Sequence, residues 1–327
     1  MYCFEIDQLQ PGDILLTRSD SRVSELVRKV TGSQYSHAIL YLGISSIIES
    51  DGLGVQSNNL QRILITNNDD AKVLRLKSDS RSSIIQNVEI YARRLVGTAY
   101  STDEAKISHL NTQSSAKEPN RQFCSRFVAQ SYSDAGINLV DNPDYCTPEH
   151  LLQSDQLLSV ENCLRVASLK EIEFANSENP MDRQTKIHNE IFAKARTLTS
   201  KDVQTFEQLN ESIIEFPEID IEITEFVRKS GFLDMMEEDE KKNPQHYNAE
   251  KLVEYYKDPD QILEVALRFA SIEPKTRERL EMTIFHLIQL NRIYPREYFK
   301  MEIELYQKLI KYSHKRETEA IKALKHC

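Results

Sequence analysis

After Gly136 the chain holds one glycine, Gly231; the other seven, Gly12, Gly32, Gly43, Gly52, Gly54, Gly97 and Gly136, all come earlier. Glycine is what tight left-handed turns ask for, so the tight turns belong to the first half. Cysteines are few and irregularly placed, at Cys3, Cys124, Cys146, Cys163 and Cys327. An odd number without regular spacing excludes a disulfide framework and points to a reducing compartment. Long apolar runs are missing as well. The longest, "AILYLGISSII" from Ala38 to Ile48, is too short for a transmembrane helix and is interrupted by Gly43, Ser45 and Ser46. The opening "MYCFEIDQLQPGD" has no basic region, apolar core or small-residue cleavage site, so it does not read as a signal peptide. A cytoplasmic location is the expectation, with export by a route needing no N-terminal signal as the alternative. Positive charge is in deficit too: the net charge is -10, which argues against nucleic acid as the main partner.

What is present is a chain of 327 residues, 40% hydrophobic, long enough for a sizeable core and two domains. The first half alternates element types. "GDILLT", "HAILYLG", "SIIES" and "KVLRL" are short strand-like runs. "SDSRVSELVRKVTG" reads as a helix with a Ser or Asp cap and Gly32 as its stop. "SRSSIIQNVEIYARRLVG" has apolar residues at helical spacing and ends at Gly97. A polar loop from Ser101 to Gln122 leads into a helix, "CSRFVAQSYSDAG", that stops at Gly136. "FANSENPMD" (174–182) reads as a linker, which gives domains at 1–173 and 182–327. The second is rich in Glu, Lys, Leu and Ile and reads as helices near 182–197, 200–214, 222–235, 248–257, 260–272, 276–294 and 296–325, with Pro274 and Pro295 separating the last three. The stripes of "TIFHLIQL" and "IELYQKLIKY" want to face each other.

The chemistry-bearing residues lie in the first half. A turn centred on Gly43 would fold "HAILYLG" against "SSIIES" and set His37 directly opposite Glu49, a carboxylate able to fix the ring's tautomer and raise its basicity. A register slip of one residue would break that pair. Asp51 shares Glu49's strand parity and is the rival orienter. Cys124 stands at the first turn of its helix, where unpaired N–H groups and a nearby imidazolium would turn a thiol into a nucleophilic thiolate and could stabilise an oxyanion. Nucleophile, base and orienter together make the machinery of acyl transfer, although spacing alone does not bring Cys124 to His37. Taken singly, Cys124 or His37 on an apolar element is more often a core residue than a reactive one.

Five motifs in this order, "LQPGDILL", "SHAILYLG", "IIESDGLGV", "GTAYS" and "FCSRFVAQSYSDAGI", resemble the circularly permuted papain-like amidases, the YiiX/YaeF-like relatives of the NlpC-type cell-wall peptidases. The resemblance covers roughly residues 1–165. It implies an α+β permuted papain-like domain, with an antiparallel sheet and a nucleophile helix, ahead of the helical domain. It also implies Cys124 as nucleophile, His37 as base and Glu49 as orienter of a cysteine amidase or peptidase. Tyr100 resembles the tyrosine of a G-x-P-Y motif, an oxyanion or substrate contact, with Ala99 standing where that motif usually has proline. Tyr35, Ser36 and Ser125 are candidates to line the cleft.

A peptide or peptide-like amide is the expected substrate, and no metal or organic cofactor is expected. Cys146 and His150 have a metal-pair spacing, but "CTPEH" reads better as a helix cap with a surface histidine. Two alternatives stand. One is lipid or fatty-acyl chemistry, as in the similarly permuted lecithin–retinol acyltransferase group, which would call for an apolar channel and a membrane-binding segment. The other is a catalytically silent scaffold whose helical domain binds a protein partner. No integral membrane segment is expected in any of these.

Overall fold

A computed structural model describes residues 1–19, 24–25, 28–29, 32–78, 81–101 and 121–326. The expected helix over 19–32 and the polar loop after Ser101 lie largely outside these residues, as does Cys327. The chain divides into two compact units, Met1–Asn189 with Gln204–Glu207 and Glu190–Val203 with Gln208–Cys327.

The first unit is built on a six-stranded sheet. Its strands are β2 (Ile14–Thr17), β3 (His37–Gly43), β4 (Ser46–Asp51), β5 (Gly54–Asn59), β6 (Ala71–Leu76) and β9 (Leu157–Val160), in the order β5-β4-β3-β2-β6-β9. Every neighbouring pair is antiparallel. Two smaller ladders accompany it: β1 (Tyr2–Phe4) with β10 (Leu164–Val166), and β7 (Ala99–Tyr100) parallel to β8 (Arg121–Gln122). The central strands are covered on both faces, which is why they read as continuous apolar runs. Ile14, Leu16, Ala38 and Leu40 pack into one core with Val88 and Ala92 of α1 (Arg81–Arg94) and Phe127 and Val128 of α2 (Cys124–Asp134). Leu15, Ile39, Tyr41 and Ile47 turn the other way, against Phe4, Leu60 and Ile65. Burying one such side chain contributes about 1.5–3 kcal/mol. Helices α3 (Pro148–Leu152) and α4 (Leu169–Ala175) follow, and the boundary between the units falls inside α5 (Pro180–Thr199).

The second unit is helical: α6 (Phe206–Glu215), α7 (Asp220–Lys229), α8 (Met235–Lys242), α9 (Ala249–Tyr256), α10 (Pro259–Ile293) and α11 (Glu297–Ala323). The last two pack against each other, with Leu287 and Leu305 buried, while Phe285 and Ile288 of the first stripe stay exposed. One expectation fails here. Pro274 does not end a helix; α10 runs through it for 35 residues. A proline inside a helix costs about 3 kcal/mol through a lost hydrogen bond and a clash. Polar bridges from α11 hold the helix on both sides of it. Arg316 reaches Glu273 at 2.6 and 3.1 Å, Ser313 donates to the Glu273 carbonyl at 3.3 Å, and Arg277 pairs with Glu317 at 2.5 Å. Pro295 does sit between helices. Among the described residues no helix is long and apolar enough to cross a membrane.

Candidate active site

The β3–β4 hairpin closes differently from the turn read around Gly43. Its two loop residues are Ile44 and Ser45, both left-handed at φ 50° and 64°, the conformation that two-residue hairpin loops require. The ladder pairs Gly43 with Ser46, Tyr41 with Ile47 and Ile39 with Glu49, with an irregularity between Tyr41 and Gly43. Ile39 therefore faces Glu49, where the symmetric turn had put His37. The shift is two residues, so parity survives, and His37 becomes the diagonal neighbour of Glu49 on the same face. Diagonal neighbours are still within reach for long side chains. Glu49 Oε2 lies 2.7 Å from His37 Nε2. Its other oxygen, Oε1, accepts from Asn58 Nδ2 of β5 at 3.2 Å. Asp51, the rival, accepts from the Leu53 backbone N–H at 2.9 Å and from Gln56 Nε2 at 3.3 Å.

Cys124 is the first residue of α2. The preceding Phe123 is extended and offers no side-chain cap. The His37 ring and the backbone N–H groups of Ala38 and Ser125 act on the thiol and favour its charged form. With Nε2 taken by Glu49, Nδ1 is the ring nitrogen left for the sulfur. Burial pushes the thiol up, but the bond to His37, its charge and those two N–H groups outweigh it, and Cys124 lies below the ordinary thiol range. Three other cysteines, Cys3, Cys146 and Cys163, are pushed upward, chiefly by burial, to about 12 for Cys146 and about 11 for Cys163. Burial opposes a charge on His37 as well, yet its bonds to Cys124 and Glu49 hold the imidazole well above its usual value. Glu49 is lowered: desolvation works against it, and the bonds from His37 and Asn58 prevail. The three shifts run in the directions that favour a thiolate, an imidazolium and a carboxylate.

Residues 8–178, just over half of the chain, match the family described as permuted papain-like amidase enzyme, YaeF/YiiX, C92 family. The chain belongs to that family. One solved structure, the crystal structure of metalloprotein yiiX from Escherichia coli O157:H7, DUF1105, is 22% identical with a TM-score of 0.38, covering 47% of this chain and 97% of its own. No curated protein matches.

Tyr100 pairs with Gln122 in the β7–β8 ladder, two residues before Cys124. Burial, reinforced by the charges of Cys124 and Asp51, raises its phenol well above the ordinary range. It therefore keeps its proton and can donate. Gly54 controls how β5 meets β7: at φ +106° its α-carbon lies so close to Thr98 that a Cβ would sit 2.4 Å from the Thr98 carbonyl oxygen. Ser125 Oγ donates to the Cys146 carbonyl at 2.8 Å and is buried. Tyr35 is part of the core, and Ser36 Oγ bonds Ser24 Oγ at 2.7 Å. His150 closes a capping box with Thr147 at the start of α3, its ring accepting from the Thr147 N–H at 3.2 Å. Among the described residues no cluster of three or more His, Cys, Asp or Glu could hold a metal ion.

The sequence missed Asn58 and the Ala38 N–H. The second is invisible in any sequence, because a backbone donor has no residue type. The first lies in "GVQSNN", a strand with polar side chains and no apolar alternation to announce it.

Proposed function

We propose that this chain is a cysteine amidase or peptidase in which Cys124 is the nucleophile, His37 the general acid and base, and Glu49 its orienter. The observation that carries this reading is the bridging ring. One imidazole bonds a helix-terminal thiol on one side and a carboxylate on the other, and of the four described cysteines that thiol alone is pulled down.

The chemistry follows. The Cys124 thiolate attacks the carbonyl carbon of an amide. The C–S bond forms and the carbonyl π pair moves to oxygen. First-turn N–H groups of α2 and the Tyr100 hydroxyl would be the donors for that charge. The His37 imidazolium gives its proton to the leaving nitrogen as the C–N bond breaks. In the acyl-enzyme His37 is neutral, so it takes a proton from water. The resulting hydroxide adds to the acyl carbon, the C–S bond breaks, and the thiolate–imidazolium pair is restored. Glu49 keeps the ring in place and stabilises its charged form throughout. A peptide or peptide-like amide is the substrate class that suits this chemistry.

The test is the rate of alkylation of Cys124 by iodoacetamide against pH, followed by peptide mass analysis, in wild type and His37→Ala. A thiolate that persists well below about pH 8.5 in wild type, and retreats toward that value in the variant, supports the reading. Identical profiles typical of an ordinary thiol would sink it.

A further inference from the structure

We propose that Asn58 is a positioning residue for the Cys124–His37 pair, acting through Glu49. The proposal rests on the reading just given.

Glu49 stands on β4 between two strands, with β3 carrying His37 on one side and β5 carrying Asn58 on the other. The β4–β5 ladder pairs Ile47 with Asn58 and Glu49 with Gln56, so Asn58, like His37, is a diagonal neighbour of Glu49 on its own face. The two bonds divide the carboxylate: Oε2 meets His37 at 2.7 Å and Oε1 meets Asn58 at 3.2 Å. One bond alone would leave the carboxylate plane free, because a terminal sp³–sp² torsion is broad. A second donor on the far oxygen fixes the plane and satisfies lone pairs that burial has cut off from water.

The orientation of the Asn58 amide is itself determined. An ionised carboxylate only accepts, so the amide nitrogen must face Glu49. The amide oxygen then accepts from the Asn59 backbone N–H at 2.8 Å, with Asn179 Nδ2 at 3.5 Å. Donors run in one direction, from Asn179 to Asn58 to Glu49. The segment supplying Asn179 is anchored on the same edge of the sheet. Arg62 donates to the carbonyls of Ser177 at 2.7 Å and Glu178 at 2.9 Å, and its guanidinium lies 4.7 Å from the centre of the Phe174 ring. Thr185 of α5 bonds Gln56 at 3.4 Å. The outer edge of the hairpin is thus clasped by the stretch that leads into α5. The bond from Asn58 also helps keep Glu49 ionised, and an ionised Glu49 joins Cys124 in favouring a proton on His37.

The experiment extends the alkylation profile to Asn58→Ala and to the near-isosteric Asn58→Leu, which keeps the volume but loses the donor. Loss of a hydrogen bond to a charged group predicts a roughly tenfold slower alkylation near pH 6 in both, with the low-pH limb displaced toward that of His37→Ala. A residue that only supported the strand would lower the melting temperature and leave the limb where it is. Wild-type profiles in both folded variants overturn the proposal while leaving the catalytic reading standing. A wild-type profile that already coincides with His37→Ala overturns both. Should Asn58→Ala fail to fold, Asn58→Leu decides.

Discussion

Glu49 and His37 meet across a diagonal of the β3–β4 hairpin, with Oε2 2.7 Å from Nε2 although the backbone partner of Glu49 is Ile39. The carboxylate is largely shielded, with its side chain 12% exposed, so its charge acts on the ring with little screening by water. Glu49→Gln keeps the shape and removes the charge. The expected result is a loss of the imidazolium near neutrality and a fall of about 10- to 100-fold in the rate of Cys124 alkylation at about pH 6. A rate unchanged from wild type would mean that the carboxylate does not support the ring.

The coupled shifts set a pH dependence. The Cys124 thiol is lowered and the His37 imidazole raised, both in the direction that favours a thiolate–imidazolium pair. Alkylation should therefore rise in two steps. The first, at low pH, marks formation of the thiolate–imidazolium pair; the second, at high pH, marks loss of the His37 proton. Hydrolysis of an amide substrate should rise with the first step and fall with the second, because the leaving nitrogen needs that proton. A single alkylation step at about pH 8.5 would contradict the pair.

Gly54→Ala tests the approach of β5 to β7. The new Cβ would meet backbone, not a flexible side chain, and the left-handed φ adds strain. A loss of about 1–3 kcal/mol in denaturant unfolding is expected. Tyr100 lies two residues beyond the carbonyl that must move, so reactivity at Cys124 should also change. A variant with wild-type stability would show that the two strands have room to part.

In the helical unit, Glu302 is buried against Tyr298, whose hydroxyl donates to it at 3.2 Å. Burial pushes its carboxyl up to about 8, opposed only in part by that bond. The unfolded chain loses the same proton near about pH 4.3. Between those values the folded state binds the extra proton, so this group lowers stability as pH rises from about 4.3 to about 8. Glu302→Gln removes the dependence. Its melting temperature should gain on wild type progressively over that range and level off above it. A gap independent of pH would show that Glu302 does not titrate in the folded protein as its burial requires.

What the sequence yielded followed from patterning. β2, β3, β4 and β6 carry apolar runs because both faces of the sheet are covered, and α1 and α2 carry helical spacing with glycines near their ends. β5 was invisible because its last four side chains are polar, though none is fully exposed. The hairpin register was misread because its loop uses left-handed Ile44 and Ser45, where glycine would have signalled the turn. Parity forgave the error: a two-residue shift keeps Glu49 on the face of His37, and a one-residue shift would not. Pro274 misled because its cost is met by α11, distant in sequence. Periodicity and spacing alone could not have joined Cys124 to His37; only the order of motifs suggested it.

The hairpin loop has a consequence for the order in which the molecule assembles. His37 and Glu49 are separated by 12 residues and joined by a two-residue turn, a contact of low sequence separation that closes on a timescale of about 1–10 μs. Cys124 enters much later in the chain and must close a far longer loop to reach them. A chain made from its N-terminus can therefore close the His37–Glu49 hairpin before Cys124 is synthesised, and the thiol meets His37 only through a long-range contact made later.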